Sequence, residues 1–290
     1  MNWDGRCWSW LGGGTWIVLQ YLLVAAQPIA AQVPAPLRQA HAHNDYLHQR
    51  PLLDALSHGC NSVEADIYLV DGQLLVAHTA KELEPQRTLR ALYLDPLKVL
   101  VEQNVGHVHP GKSPRASFGL LIDIKSEAEA TYRALHELLK NYESILSTVD
   151  KGQTRSGPVA IVISGNRPQE LIAAQTKRYC GIDGRIADLD SQKPEHLLPM
   201  ISDNWTLQFR WRGEGPMPKD ELIRLQGIVT RAHEKNRVVR FWATPEKQTV
   251  WQALVDADVD LINTDDLLGL EKFLRDQSTK KTKIKKDLQP

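Results

Sequence analysis

Eight short apolar runs, each separated from the next by helix-patterned or loop sequence, begin near residue 39 and continue to residue 264. They fall at residues 39–43, 62–70, 118–125, 159–164, 184–188, 199–202, 238–243 and 260–264. Apolar patterns over 51–56, 94–103, 127–147, 168–178 and 245–257 predict helices, the first ending at Gly59, which suits a C-terminal cap. Asp71-Gly72 is a turn signal, so residues 74–78 are expected to fold back on the second strand as a hairpin arm. Strands that alternate with helices imply a parallel sheet, and eight such units predict a TIM-type (β/α)8 barrel, a single α/β domain over residues 37–275. An open doubly wound sheet is the alternative. It is disfavoured because no glycine-rich phosphate loop follows the first strand.

Composition enters at three points. A chain of 290 residues with 42% apolar and 24% charged residues is sufficient for one barrel core. The formal net charge of zero gives no basic footprint, so no nucleic-acid partner is expected, and a monomer is expected. Charge is nevertheless uneven: Lys280, Lys281, Lys283, Lys285 and Lys286 crowd the last stretch, and 276–290 reads as a basic disordered tail. Peripheral contact with an anionic membrane surface is the alternative reading of those lysines.

Residues 1–31 differ from the rest. An apolar run over 16–26 followed by Pro28-Ile29-Ala30-Ala31 reads as a signal peptide, although Asp4 offsets Arg6 in its first segment. The run is short for a membrane span and contains Gln20, so export is expected, with an uncleaved membrane anchor as the alternative. Cys7 would leave with the leader. Cys60 and Cys180 stand in no metal-ligand spacing, and buried free thiols are expected in preference to a disulfide.

Chemistry concentrates where polar residues interrupt the strands. Side chains at i and i+2 share a strand face, which pairs His41 with His43, Glu64 with Asp66, and Asp123 with Lys125. In a barrel these pairs would converge at the C-terminal mouth. Glu64, Asp66 and Asp123 would repel one another if ionised and unpaired, and a divalent cation resolves the conflict. The all-oxygen donor set selects Mg²⁺ or Ca²⁺ over zinc. The competing reading leaves the acids to Lys125 and to arginines. His78 ends the hairpin arm beside this set and is a candidate general acid or base. His48, His58, His107, His109, His136, His196 and His233 fall in loops or helices and read as background. Trp205, Trp211 and Trp242 suit either an entrance or core packing, and Ser202-Asp203-Asn204 and Thr264-Asp265 either the site or helix caps.

Ala40-His41-Ala42-His43-Asn44-Asp45-Tyr46, Ser62-Val63-Glu64-Ala65-Asp66, Leu75-Val76-Ala77-His78 and Leu121-Ile122-Asp123-Ile124-Lys125 together resemble the phospholipase-C-like phosphodiesterase superfamily. That group includes glycerophosphodiester phosphodiesterases, phosphatidylinositol-specific phospholipases C and venom-type sphingomyelinases D. With Arg240-Phe241-Trp242 and Ile262-Asn263-Thr264-Asp265-Asp266-Leu267, the chain is most similar to the altered inheritance of mitochondria branch. The resemblance implies a metal-dependent phosphoric diester hydrolase acting on a small-molecule or lipid phosphodiester. It places catalytic roles on His41 and His78, metal ligation on Glu64, Asp66 and Asp123, and substrate contacts on Asn44, Lys125 and Trp242. The arginine that follows the first histidine in glycerophosphodiesterases is replaced by Ala42, and His43 either takes part of its role or is itself the catalytic histidine. His41 is preferred for its spacing to Asn44. A non-catalytic exported barrel that binds phosphorylated lipid headgroups or sugars is the alternative function.

Overall fold

The computed structural model describes residues 35–111 and 117–287, with side chains as far as 280. The expected leader, with its Cys7, lies outside these residues. Eight parallel strands form the barrel: β1 (Leu37–Ala42), β2 (Cys60–Val70), β3 (Phe118–Ile124), β4 (Val159–Gly165), β5 (Cys180–Gly184), β6 (Met200–Asn204), β7 (Val238–Trp242) and β8 (Leu261–Thr264). β1 pairs with both β2 and β8, so the sheet closes on itself and leaves no edge among these strands. The arm Gln73–Val76 pairs antiparallel with the end of β2, as Asp71-Gly72 required. Helices α1 (Leu53–Ser57), α2 (Asp95–Gln103), α3 (Ala128–Lys140), α4 (Gln169–Ala174), α5 (Trp205–Gln208), α6 (Lys219–His233), α7 (Gln248–Asp256) and α8 (Leu267–Asp287) complete the set.

Alternate residues on each strand point inward and outward, and the two sets differ. On β3, Phe118, Leu120, Ile122 and Ile124 join the large core shared with the helices. Leu121 instead meets Val162 and Met200 inside the barrel, with Val238 and Leu261 against them. Each such side chain, when fully buried, contributes about 1.5–3 kcal/mol. Two residues further along the same strands stand Asp123, Ser164, Ser202, Arg240 and Asn263. The barrel interior therefore changes from apolar to polar within one pleat, at the level where the strands end. That step puts a titratable layer on top of a dry floor.

Several sequence expectations need correction. The fifth strand is Cys180–Gly184, whereas 184–188 was expected; Ile186–Asp188 is a 3₁₀ turn. Gly181 and Gly184 lower strand propensity, but the barrel needs them. A Cβ on Gly181 would lie 2.5 Å from the Pro199 ring and one on Gly184 2.9 Å from Ile201. The helices expected over 127–147 and 168–178 stop at Lys140 and Ala174. The chain there builds a small antiparallel sheet from Thr148–Asp150, Gln153–Arg155 and Lys177–Arg178. The expected disordered tail from 276 is helical as far as Asp287, since lysine and glutamine are good helix formers that prolong α8. Cys60 and Cys180 are free and buried, as expected.

Candidate active site at the barrel mouth

The mouth has two walls. The first is carried by β1, β2, β3 and the hairpin arm. Parallel register sets Asp66 level with Asp123, and Glu64 lies one pleat lower. One oxygen from each of Glu64, Asp66 and Asp123 can be chosen so that all lie within 4.8 Å of one another. Lys125 Nζ sits 3.1 Å from Asp66 Oδ2 and 3.1 Å from Asp123 Oδ2. The other oxygens, Asp66 Oδ1 and Asp123 Oδ1, are buried and have no hydrogen-bond partner. Burial, reinforced by Glu64, raises Asp66 to about 6. Burial also raises Asp123, against the pull of Lys125. Two orphaned carboxylate oxygens within a cluster of three acids fit a hard divalent cation better than they fit water or a lysine alone.

Space for this arrangement is set by backbone. Gly165, at φ +66, ends β4 beside Asp123, and a Cβ there would stand 1.8 Å from Asp123 Oδ1. Glu64 is anchored from the opposite side by a buried contact with Arg240, whose Nε also donates to Asn263 Oδ1 at 2.7 Å. Burial alone would raise Glu64, but the Arg240 guanidinium overrides it and holds the carboxyl well below its usual range. Arg240 was not singled out from sequence as a site residue.

The histidines separate clearly. His41 is wholly buried on β1, with Nδ1 2.8 Å from Ser62 Oγ and Nε2 3.6 Å from Glu64, too long for a hydrogen bond. Burial and then Arg240 lower it to about 4, so it is neutral at working pH. His43 follows the strand, with a side chain 25% exposed, and Nδ1 lies 2.9 Å from Asp265 Oδ1. Burial opposes its charge, yet the bond to Asp265 and the nearby Glu64 raise its pKa. His78 is half exposed, with Nδ1 3.0 Å from Tyr46 Oη and 3.5 Å from Asp66 Oδ2. Tyr46, also missed from sequence, reaches Asp66 Oδ2 and Asn44 Oδ1, each at 2.7 Å. Asn44 adopts φ 46, which turns the chain sharply after β1 and brings Tyr46 under the acids. The expected set is thus brought together, except that His41 lies beneath the acids while His43 faces the open mouth.

The second wall comes from β4 to β7. Asp183, fully buried on β5, accepts from Ser164 Oγ at 2.7 Å, from Ser202 Oγ at 2.6 Å and from Arg185 Nη1 at 2.7 Å. The Arg185 guanidinium lies 4.8 Å from the centroid of the Trp242 ring. Arg167 donates to the Asp183 carbonyl, and burial followed by Arg185 lowers its pKa. Trp205 is fully buried against Phe209 and Phe241, and Trp211 is buried beside it, so both belong to the core. Asn204 caps α5. A cavity of about 610 Å³ opens at the other end of the barrel, lined by residues such as Gln39, Leu121 and Met200 near the strand starts, and it contains none of the candidate catalytic or metal-binding residues.

The sequence matches the AIM6-like phosphodiesterase domain over residues 30–183 and the glycerophosphoryl diester phosphodiesterase family over 238–267. Altered inheritance of mitochondria protein 6 of Eremothecium gossypii is 30% identical over 282 residues, covering 86% of this chain and 72% of that protein. The homolog from Arthroderma benhamiae is 28% identical over 263 residues, covering 81% of this chain and 82% of that protein. Among solved structures, a glycerophosphodiester phosphodiesterase from Parabacteroides distasonis aligns at a TM-score of 0.49 and 14% identity over 84% of this chain and all of that one.

Proposed function

Because this chain belongs to the AIM6-like phosphodiesterase domain family, we propose that it is a divalent-metal-dependent phosphoric diester hydrolase whose acid–base pair is His43 and His78. The observation that carries this reading is the cluster of Glu64, Asp66 and Asp123, with buried, unpartnered oxygens on Asp66 and Asp123, beside two histidines whose side chains are partly exposed. Glu64, Asp66 and Asp123 would hold the cation, Mg²⁺ or Ca²⁺. When bound, it supplies positive charge against the non-bridging oxygens of the phosphodiester.

The chain's own residues supply the rest. Lys125 Nζ, held between Asp66 and Asp123, places a cation beside the phosphoryl oxygens. Asp265 fixes the His43 ring through Nδ1, which leaves Nε2 toward the mouth. Tyr46 and Asp66 fix His78 through its own Nδ1 in the same way. One imidazole removes the proton of the attacking hydroxyl, and the other returns a proton to the leaving oxygen. His41 acts beneath them as a neutral prop for Ser62 and Glu64, and Asn44 positions Tyr46. Trp242 forms the far side of the substrate cleft. The substrate class supported by the resemblance is a glycerophosphodiester or a phospholipid or sphingolipid headgroup. Export through residues 1–31 belongs to this reading and is checked by sequencing the N-terminus of the mature protein.

A panel of phosphodiesters followed by phosphorus NMR tests the activity. Turnover is expected with Mg²⁺, lost in excess EDTA and restored by fresh metal. Full activity in the chelator would exclude the metal-dependent mechanism.

A further inference from the structure

The second wall leaves guanidinium donors without acceptors among the described residues. Asp183 is its one fully buried carboxylate, and that group is already engaged by Arg185 and by the Ser164 and Ser202 hydroxyls. Arg167, half-buried at the end of β4, has no carboxylate partner among the described residues; its recorded bond is to the Asp183 carbonyl. A guanidinium carries five donors, so most of those on Arg167 remain uncommitted. Arg185 is held flat by Trp242 on one side and Asp183 on the other, and its Nη2 comes within 3.4 Å of Ser164 Oγ. Ser164 is in register with Asp123, so this basic wall begins on the strand next to the acids. Arg185 on the Asp183 carboxylate and Arg167 on the Asp183 main-chain carbonyl bring two guanidinium groups to one residue, and together they make a site for an anionic oxygen.

We propose that Arg167 and Arg185, backed by Trp242, form a subsite for a second negatively charged group on the substrate, so that the preferred diesters carry an anionic headgroup rather than choline. The inference rests on the phosphodiesterase reading. In it, the acids, their cation and the histidines take the reacting phosphoryl group, and the opposite wall takes the charge on the headgroup.

Binding measured in excess EDTA separates this from catalysis, because no turnover is then required. The probes are sn-glycero-3-phosphoinositol 4-phosphate and sn-glycero-3-phosphocholine, titrated calorimetrically into the full chain. The phosphorylated probe is expected to bind about tenfold tighter or more, a preference that Arg167→Met abolishes and Arg167→Lys retains in part. Thermal melting of both variants confirms that they fold. Equal affinity for the two probes, or an undiminished preference in Arg167→Met, overturns the subsite. A failure of the phosphodiesterase reading shows separately, as absent turnover with Mg²⁺ while the binding preference persists.

Discussion

The two walls of the barrel mouth leave opposite kinds of groups without partners. Around β1 to β3, Glu64, Asp66 and Asp123 face Lys125 and Arg240, and two carboxylate oxygens are left buried without a partner. Around β4 to β7, Arg185 is paired with the Asp183 carboxylate while Arg167 reaches only its main-chain carbonyl, and guanidinium donors are left over. Each wall is incomplete in the sense its ligand would correct. On the proposed function the first takes a cation and the second an anion, so a metal with a charged diester would satisfy both. The contrast also separates chemistry from recognition: both exposed histidines lie on the first wall, and the second contains hydroxyls, guanidinium groups and an indole.

Changes to either wall should therefore produce different signatures. The largest effect on the fold is expected from Arg240→Met, which leaves Glu64 ionised and buried without its partner and should destabilise the protein by about 3–5 kcal/mol, read by chemical denaturation. Gly165→Ala comes next. Its Cβ must displace the Asp123 carboxylate at a backbone angle that disfavours side chains, with an expected loss of about 1–3 kcal/mol. The same substitution should weaken Mg²⁺ binding by about 10–100-fold in a calorimetric titration.

A pH effect follows from Asp66. With its folded pKa raised to about 6, the metal-free fold binds this proton more tightly than the unfolded chain does. Its contribution to stability therefore falls as pH rises from the ordinary carboxylate range through about 6. Added Mg²⁺ replaces the lost proton, so it should raise Tm more at about pH 7.5 than at about pH 5. Trp242→Ala should have the smallest effect, raising KM about two- to fivefold with little change in kcat, because it removes the stacking surface under Arg185 and part of the cleft wall but leaves the acids and histidines in place.

The first wall was legible in the sequence because strand periodicity carries it. Glu64 and Asp66, and Asp123 and Lys125, are i and i+2 pairs inside apolar runs, where a charge is conspicuous. The second wall was not. Arg167 and Arg185 lie just past strand ends, where no periodicity constrains them, and Asp183 was missed when the glycines of β5 shifted the expected strand to 184–188. Arg240 stood in plain view within β7, but its partner Glu64 is 176 residues away, a pairing that only barrel closure reveals. The choice between His41 and His43 also depended on depth. Both face inward, and the spacing to Asn44 favoured the one that proves to be sealed beneath Glu64.

Single-site kinetics on the three histidines test the assignment most directly. With one phosphodiester and saturating Mg²⁺, His43→Ala and His78→Ala should each lower kcat by about 10²–10⁴ while melting close to the parent protein. His41→Ala should instead lose stability and retain the larger share of its turnover once folded. Turnover within about twofold of the parent in His43→Ala, with a catalytic-scale loss of the kind expected of an acid–base residue in a folded His41→Ala, would contradict the assignment and return the chemistry to the buried histidine.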